Sequence, residues 1–483
     1  MGETISHQIS TEIPPSYMEK LFDFVHRQYL LPQKQRFTGF LRSTSGGYPS
    51  LSYIVLDAQG KPLAKVEAKG TTPIEMKLLR LSDSISDMTM DEVKQDFIIA
   101  VQIFEEQARK KTLYFAWSEG QDIVPEELKK QEKSFNRLFL ETQVLFMFMF
   151  IIIGAAVFIL ITAFYPDAYW AAPLILVLVQ FVLVFYSTSF ISRTADWHIT
   201  EANPFIHLLE YHLPLAVQED FKQTRSREEL LSIKREIYKE VIAKQGNINC
   251  EAAGEILGKY SVTCKPENLI AKKVDVYGLV KKIADKFKFP MPKIVVSNTM
   301  IPNAAASGPS PSRGIVLITT GLLVQLEESE IISVLGHEFG HLRGRDPLIL
   351  YGLTSAEFLF RFYVLFPLIP IVFNSFLFLI YFWAVMVVIF FIAKFFEARA
   401  DLVSAMVVGH PEVLAGALEK IGFQRLLYER TPSFRLQEWV GLDPHPPIYF
   451  RVNRLEKLVE PEKIKHPLIQ SIKDVWAGFR ASL

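Results

Sequence analysis

The first half of the chain contains two long stretches without any charged residue. Residues 144–165 and 168–192 lack Asp, Glu, Lys and Arg throughout, and each is long enough to cross a hydrocarbon core of about 30 Å as a helix. Lysines and arginines flank the pair on both outer sides, whereas the connection at Pro166-Asp167 has none. Because cytoplasmic flanks carry the excess of basic residues, the pattern predicts a membrane hairpin over residues 143–192 whose turn lies outside.

A second apolar block covers residues 347–393, which is too long for one span. Two prolines, Pro367 and Pro370, interrupt it near the middle, and a proline removes a helical hydrogen bond. We therefore predict two further spans, at 348–369 and 375–393, joined by another uncharged turn on the outer side.

One acidic and one basic residue lie inside this second block. Glu357 and Arg361 are four residues apart, so their side chains share a face of a helix. Ionisable residues within a membrane are costly unless they are paired. The spacing predicts an internal ion pair that faces the other helices near the cytoplasmic end.

Four predicted spans leave three polar pieces of chain on the cytoplasmic side. In the first piece, apolar and polar residues alternate on both sides of Asp57-Ala58-Gln59-Gly60, which predicts a β-hairpin. The segments PIEMKLLRL and LYFAWS predict further strands, with a helix between them. The first piece, residues 1–135, is therefore predicted to be a small α/β accessory domain, and residues 194–346 and 394–483 are predicted to be two parts of a second domain.

The composition agrees with a membrane protein and limits the partners. Half of the residues are apolar and 13% are aromatic, which excludes a disordered chain. The 52 basic and 52 acidic residues balance, so no overall field attracts nucleic acid. Cys250 and Cys264 have no CxxC grouping, and we expect structural thiols in a reducing compartment. The N-terminal residues lack the pattern of a cleaved signal peptide.

A candidate catalytic motif, His337-Glu338-Phe339-Gly340-His341, lies on a predicted helix directly before the second apolar block. Residues i and i+4 of a helix face the same way, so the two imidazoles can bind one Zn²⁺ while Glu338 points to the open side of the metal. This arrangement indicates a zinc-dependent hydrolase.

A third ligand is needed, because a hydrolytic zinc site uses three protein ligands and one exchangeable water. Glu397 and Asp401 are again four residues apart, at the cytoplasmic exit of the fourth span. We predict that Glu397 is the third ligand. Asp401 is predicted to accept the second N–H of a zinc-bound histidine and to fix its tautomer.

Two other histidines, His207 and His212, are five residues apart and do not fit a ligand pair on one helix face. Their segment, PFIHLLEYHLPL, is instead predicted to be an amphipathic helix at the membrane interface.

The order HEFGH, two spans and EARAD resembles the HtpX-type membrane zinc metalloproteases, a family that also includes the CAAX prenyl protease. Two further segments agree with this resemblance: Asn303-Ala304 before the motif helix, and HPPIYFR, which contains His445 and Arg451. The resemblance covers about residues 143–460 and leaves out residues 1–135.

The fold class predicted from these elements and the resemblance is α+β. A mainly helical, zincin-like catalytic domain with a small β-sheet is expected on four transmembrane helices, with the α/β accessory domain at the N-terminus. The predicted location is a cell inner or plasma membrane, crossed several times, with the N-terminus, the catalytic site and the C-terminus in the cytoplasm.

The resemblance also implies roles for individual residues. One Zn²⁺ per chain would be held by His337, His341 and Glu397, and Glu338 would act as the general base. His445 and Arg451 would donate hydrogen bonds to the oxyanion, or hold nearby carboxylates and the peptide backbone.

The expected substrates are polypeptides, in particular unfolded or damaged membrane proteins. Asn303 and Ala304 are expected to contact the substrate. If the strand IVLITTGLL is an exposed edge, an extended substrate can add to it as a further strand.

Three alternatives remain open at this point. A protease with its motif buried in the bilayer is disfavoured, because charged residues flank the motif on both sides (Glu327, Glu328, Glu330, Arg343, Arg345 and Asp346). A CAAX-type processing enzyme has seven spans, whereas four are predicted for this chain. A non-catalytic membrane scaffold would not require Glu338 or the predicted ligands.

Overall fold

A computed structural model gives the fold of most of the chain and divides it into two compact units. The described residues are 4–82, 85–110, 112–125, 152, 154–161, 163–213, 227–260, 262–370, 376–429 and 432–483. Ten of the 22 residues of the first predicted span, 144–165, lie outside the described residues.

The described strands are numbered here in chain order. They are β1 (Thr4–Ile9), β2 (Phe37–Ser45), β3 (Tyr48–Leu56), β4 (Pro62–Lys69), β5 (Ile74–Arg80), β6 (Thr112–Ser118), β7 (Trp197–Ile199), β8 (Phe205–His212), β9 (Leu269–Asp275), β10 (Lys293–Ser297), β11 (Ala304–Ser307) and β12 (Ile315–Thr319).

The described α-helices follow the same numbering. They are α1 (Met18–Phe24), α2 (Asp87–Lys110), α3 (Ala172–Thr194), α4 (Arg227–Glu240), α5 (Cys250–Lys259), α6 (Val276–Phe287), α7 (Thr320–Gln325), α8 (Glu328–Gly344), α9 (Asp346–Phe360), α10 (Phe366–Leu368), α11 (Leu377–Val408), α12 (Pro411–Ile421), α13 (Phe423–Glu429), α14 (Pro432–Val440), α15 (Ile448–Glu456) and α16 (Pro467–Ala481).

Short helical turns complete the secondary structure. The 3₁₀ turns are Pro15–Tyr17, Leu31–Gln33, Pro166–Ala171, Ile242–Lys244, Pro266–Asn268, Pro311–Arg313 and Pro461–Lys463, and the π-helical turns are Val25–Leu30 and Arg361–Leu365.

The first unit contains an antiparallel five-stranded sheet in the order β1-β5-β4-β3-β2. Its inner face packs with α1 and α2 around a continuous apolar core. The hairpin predicted around Asp57-Ala58-Gln59-Gly60 is the β3–β4 connection, and PIEMKLLRL contains β5. These strands follow the predicted alternation, because β3 and β5 bury every second residue along most of their length.

A second sheet of the first unit corrects the prediction for the segment around His207 and His212. This segment is strand β8 rather than an interfacial helix, and it pairs antiparallel with β6, which is the predicted strand LYFAWS. The physical reason is burial on both faces, since seven of the eight residues of β8 are buried. Such a strand has no clean alternation and resembles a helix in sequence.

Cys250 and Cys264 also differ from the prediction, because they form a disulfide with a Cα–Cα distance of 5.6 Å. Cys250 is the first residue of α5, and the chain after this helix turns back so that two residues fourteen positions apart meet. A disulfide is typical of an oxidising compartment, which weighs against the reducing compartment expected from the sequence.

The second unit has a four-stranded sheet in the order β11-β12-β10-β7. The segment IVLITTGLL, considered as a possible edge strand, contains β12 and the start of α7, and β12 lies in the interior of the sheet, because it pairs with β10 on one side and with β11 on the other. The edge next to the motif helix is β11. A possible added strand would therefore meet β11 rather than β12.

Two described helices are long and apolar enough to cross a membrane, Asp346–Leu368 and Leu377–Val408. They correspond to the third and fourth predicted spans, and α3 covers most of the second. The break expected near Pro367 and Pro370 is present, since the first of the two long helices ends at Leu368.

The ion pair predicted within the third span is confirmed, at 3.2 Å between Arg361 and Glu357. Tyr381 of α11 donates a further hydrogen bond to Glu357 over 2.8 Å, so the pair connects the two long helices. Its depth differs from the prediction. Glu357 is eleven residues after Asp346, about 16 Å along the helix, which places it in the middle of the span rather than near one end.

The motif helix α8 packs unusually close to α11. A Cβ atom at Gly340 would lie 3.0 Å from the Cα atom of Ala400, and one at Gly336 would lie 2.7 Å from the hydroxyl of Ser404. Only glycine leaves room for this approach. The histidines of α8 are thereby brought within reach of acidic residues on α11.

We predict that Gly340→Ala lowers stability by about 1–3 kcal/mol, because the new methyl group overpacks against the backbone of α11. The matched control is Gly352→Ala, since a Cβ at Gly352 meets nothing within 4 Å. The melting temperature of the purified protein in detergent is the measurement. Equal melting temperatures for the two variants would contradict the role assigned to the close helix approach.

We also predict a pH dependence of the first unit that comes from His212. Burial, and secondarily the nearby Lys20, lowers the pKa of His212 to about 4. Because the ordinary value is about 6.5, the unfolded chain binds the proton more tightly than the folded chain. The contribution to stability is therefore complete above pH 6.5 and is lost as the pH falls toward 4, by up to about 3 kcal/mol.

The test compares hydrogen exchange of β6 and β8 at pH 7.5 and pH 5 in the wild type and in His212→Asn. Asparagine can still meet the hydroxyl of Thr112, which lies 3.0 Å from Nδ1 of His212, but it does not titrate. The variant should lose most of the pH dependence, and the exposed His410→Asn should keep it. An unchanged pH dependence in His212→Asn would exclude His212 as the cause.

Candidate metal centre

The motif helix α8 begins at a capping box, in which Glu327 and Glu330 bond reciprocally to the backbone. This cap fixes the start of a helix that is buried along most of its length. His337 and His341 project from the same face one turn apart, and their Nε2 atoms are 3.2 Å from each other.

The third member of the cluster is an acidic residue, Glu397, on α11, the second of the two helices long and apolar enough to cross a membrane. Glu397 places Oε2 at 3.4 Å from Nε2 of His337 and Oε1 at 3.3 Å from Nε2 of His341. Ligand atoms of the three residues all lie within 4.8 Å of one another. Two imidazole nitrogens and a carboxylate that converge in this way can bind a divalent cation such as Zn²⁺.

One atom in this cluster supports the fit of a cation. Oε2 of Glu397 is buried and accepts no hydrogen bond from the described residues. A buried carboxylate oxygen without a donor is costly unless a cation balances its charge. His337, His341 and Glu397 therefore fit a metal ion by geometry and by charge.

Two aspartates hold the outer nitrogens of the histidines. Nδ1 of His337 is 2.9 Å from Asp401, the residue predicted for this role, and Nδ1 of His341 is 2.8 Å from Asp346. Both contacts orient the ring and leave Nε2 to face the cluster. Sequence reasoning missed Asp346, although an acidic residue five positions after the motif was a readable signal.

Each of these aspartates is in turn paired with an arginine. Arg451 on α15 binds Asp401 through two nitrogens, at 2.7 and 2.9 Å, and is almost fully buried. Arg399 on α11 contacts Asp346 at 2.6 Å. Two roles were open for Arg451 in the sequence, and the structure places it against a carboxylate rather than in the open part of the cluster.

The electrostatics of the cluster raise the pKa of its histidines. Burial alone would lower the pKa of His337, but the hydrogen bond with Asp401 and the negative charge of Glu397 beside the ring outweigh burial and raise it to about 10. The pKa of His341 is raised too: burial lowers it, and Glu397 and Asp346 more than compensate. Three acidic side chains thus surround the two imidazoles with negative charge, which favours a cation in their midst.

Glu338 lies beside the ligands and faces the edge strand. Its Oε2 accepts a hydrogen bond from the backbone N–H of Ala306 in β11, over 2.9 Å. The predicted substrate-contact residues adjoin this point, because Ala304 opens β11 and Asn303 directly precedes it. The strand consists of small residues, Ala304-Ala305-Ala306-Ser307, and all of them are partly exposed.

His445 also lies at the cluster, with Nε2 at 3.6 Å from Oε2 of Glu397. Its orientation depends on Asp443, which accepts hydrogen bonds from both the backbone and Nδ1 of His445, each over 2.8 Å. Lys394, the first charged residue after the fourth predicted span, is fully buried and donates to the carbonyl of Asp443. Neither Asp443 nor Lys394 was recognised in the sequence as part of the site.

A helix with two histidines and a glutamate, completed by an acid from a membrane-exiting helix, defines the metallopeptidase class of site. Comparison with known proteins gives the same class. Residues 271–459 match the family described as Peptidase family M48.

Several curated relatives carry the name Protease HtpX homolog. One from Thermodesulfovibrio yellowstonii is 40% identical over 79 residues, covering 16% of this chain and 28% of that protein. One from Desulforapulum autotrophicum is 30% identical over 213 residues, covering 37% and 67%. A homolog 2 from Methanosarcina acetivorans is 28% identical over 214 residues, covering 38% and 72%. The chain therefore belongs to peptidase family M48, among the HtpX-type membrane metalloproteases.

A solved structure, that of Ste24p from S. mikatae, is also similar. The identity is 16%, the TM-score is 0.29, and the match covers 37% of this chain and 49% of that chain. This similarity is too distant to support an argument about the fold.

We predict that Asp346→Asn weakens zinc binding about 10–100-fold, because the histidine ligand that it orients loses a charged partner. The matched control is Asp443→Asn, which makes the same change beside His445, a histidine outside the predicted ligand set. Competition with a chelating dye measures the affinity. If both variants bound zinc as tightly as the wild type, Asp346 would not support a ligand.

Proposed function

We propose that the chain is a zinc-dependent endopeptidase that hydrolyses extended polypeptides at the cluster on α8 and α11. The observation that carries the proposal is the convergence of two imidazoles and Glu397 within 4.8 Å, with Glu338 beside them. Each proposed histidine ligand is also oriented by a buried aspartate. Such support beyond the ligands themselves is typical of a functional metal site.

His337, His341 and Glu397 would hold one Zn²⁺ per chain. When bound, zinc lowers the pKa of a water molecule and polarises a carbonyl group. Glu338 takes a proton from the attacking water and passes it to the nitrogen of the leaving amine. Proton transfer by a positioned side chain contributes about 10²–10⁴-fold to the rate.

The remaining residues position charge and substrate. Nε2 of His445 lies 3.6 Å from Oε2 of Glu397, and the imidazolium form of the ring, with Nδ1 bonded to Asp443, would donate a hydrogen bond from Nε2 to the developing oxyanion. Arg451 keeps Asp401 in place and thereby acts on His337 rather than on the substrate.

The edge strand β11 supports an extended polypeptide as the substrate. An added strand gains main-chain hydrogen bonds along β11, and this binding depends little on sequence. The small side chains of β11 leave space for varied substrate residues. Because only unfolded segments can form such a strand, we propose unfolded or damaged membrane proteins as the substrate class.

Two signals bear on the orientation in the membrane, and they disagree. The basic flanks of the predicted spans favour a cytoplasmic site, whereas the disulfide between Cys250 and Cys264 favours an oxidising compartment. We propose a multi-pass protein with the cytoplasmic orientation, because the flanking charges act during insertion itself. The cysteine pair would then be reduced in the cell, which thiol labelling of intact and permeabilised cells can test.

The test of the proposed activity is zinc content together with cleavage of casein in detergent. Glu338→Gln should retain one zinc per chain and lose activity by at least about 100-fold, because it removes the base and not a ligand. Glu397→Ala should lose both zinc and activity. The exposed Glu462→Gln is the control and should behave as the wild type.

Cleavage that survives Glu338→Gln would refute the mechanism. A wild-type protein that binds no zinc and cleaves nothing would favour the alternative of a membrane scaffold.

A further inference from the structure

Several large apolar side chains of helix α16 are exposed, although one side of the helix is already packed against the protein. Ser471 and Val475 are fully buried on one side of it. Beside them, the exposed fractions are 37% for Leu468, 40% for Ile472 and 46% for Trp476. Residues three and four apart share a helix face, so these side chains form one continuous stripe next to the buried side.

The far rim of the stripe is basic. Successive residues of a helix are rotated by about 100°, which places Ile469, exposed by 53%, at the outer edge of the stripe and Lys473 and Arg480 just beyond it. The guanidinium of Arg480 lies over the ring of Trp476, at 5.6 Å from its centroid. Gln470 and Asp474 lie on the polar side and bond to each other.

Contacts between α16 and α11 indicate the depth of this stripe relative to the membrane. Trp476 and Phe479 both contact Phe391 of α11, with ring centroids at 5.9 and 5.3 Å. Phe391 is two residues from the end of the span predicted at 375–393, a distance of about 3 Å along the helix. The Trp476 end of the exposed stripe therefore lies beside the apolar surface of the span, close to the point where the span is predicted to leave the hydrocarbon core.

The polar side of α16 contacts α15 and α11 at a point further from the predicted membrane. Arg454 of α15 contacts Asp474 at 2.8 Å and donates to Ser471 at 2.9 Å and to the carbonyl of Ala398. Ala398 is seven residues beyond Phe391 on α11, about 10 Å further from the membrane. Polar contacts thus hold the inner side of α16, and its exposed apolar stripe adjoins the bilayer.

We propose that α16 is a membrane-interface helix, which lies along the leaflet on the side of the metal centre and binds phospholipid through this stripe. The boundary between acyl chains and headgroups accommodates the apolar side chains of the stripe, Leu468, Ile469, Ile472 and Trp476. Tryptophan is favoured there because its ring is apolar while its indole N–H can bond to water. Lys473 and Arg480 then meet the phosphate groups, which favours anionic lipid. The inference goes beyond the proposed function and does not depend on peptidase activity.

The experiment uses the full chain in nanodiscs of phosphatidylcholine and phosphatidylglycerol, with Glu338→Gln as the background so that no proteolysis interferes. A benzoylphenylalanine photocrosslinker is placed at Ile472, and in a matched control at Gln470 on the polar side of the same helix. Mass spectrometry measures the lipid adducts after irradiation. We expect several-fold more phospholipid adduct from position 472 than from position 470.

A second measurement guards against a variant that does not fold. Phospholipids with brominated acyl chains quench tryptophan fluorescence on contact, and the conservative Trp476→Phe should reduce the quenched fraction relative to the parent protein. Equal lipid adducts at the two crosslinker positions, together with unchanged quenching in Trp476→Phe, would overturn the proposal. Crosslinks from position 472 to a second copy of the chain would also overturn it, because the stripe would then be a dimer interface.

Discussion

The metal centre depends on the close contact between α8 and α11. The histidines are on one helix and Glu397 is on the other, so a cluster with ligand atoms within 4.8 Å exists only while the two backbones touch. Gly336 and Gly340 make this contact possible, and Gly340 lies within the catalytic motif itself. The two residues between Glu338 and His341 therefore have different functions. Phe339 is buried in the core, whereas Gly340 leaves space for the backbone of α11.

The same contact brings several charges into a low dielectric, where each would be unfavourable alone. They are stable here because every acid that supports a ligand has a cationic partner. Asp401 is held by Arg451, and Asp346 is held by Arg399. Arg399 lies between Glu397 and Asp401 on α11. This short stretch of the helix therefore contacts both histidines, because Asp401 binds His337, Glu397 lies beside both rings, and Arg399 binds the aspartate that orients His341. Loss of any one partner would leave a buried charge uncompensated.

Local spacing was enough to predict the parts of the site that depend on one helix. The i, i+4 rule identified His337 with His341, and Glu397 with Asp401, and the structure brings these four residues together. Asp346 is five residues after His341, outside the i, i+4 rule, and was taken only as a charged flank. The functions of Asp443 and Lys394 depend on a loop that returns to α11 from forty-nine residues away, and no sequence period encodes such a contact.

The errors in the predicted fold have a common origin in pairing between distant segments. Strand β8 was mistaken for a helix because both of its faces are buried and its pairing partner β6 lies about ninety residues earlier. The interior position of β12 follows from β11, a strand of four residues that is too short to stand out in sequence. The cysteine pair, likewise, was readable only once the turn after α5 was known.

Helix α11 runs without interruption from its apolar part, which is long enough to cross a membrane, to the metal centre. Tyr381, which bonds to Glu357 inside the span, and the ligand Glu397 are sixteen residues apart on it. Because each residue turns a helix by about 100°, one inserted or deleted residue between them would rotate Glu397 away from the histidines while Tyr381 stayed in place. In relatives of this chain, the length of this part of the span should therefore be constant even where its apolar residues vary freely.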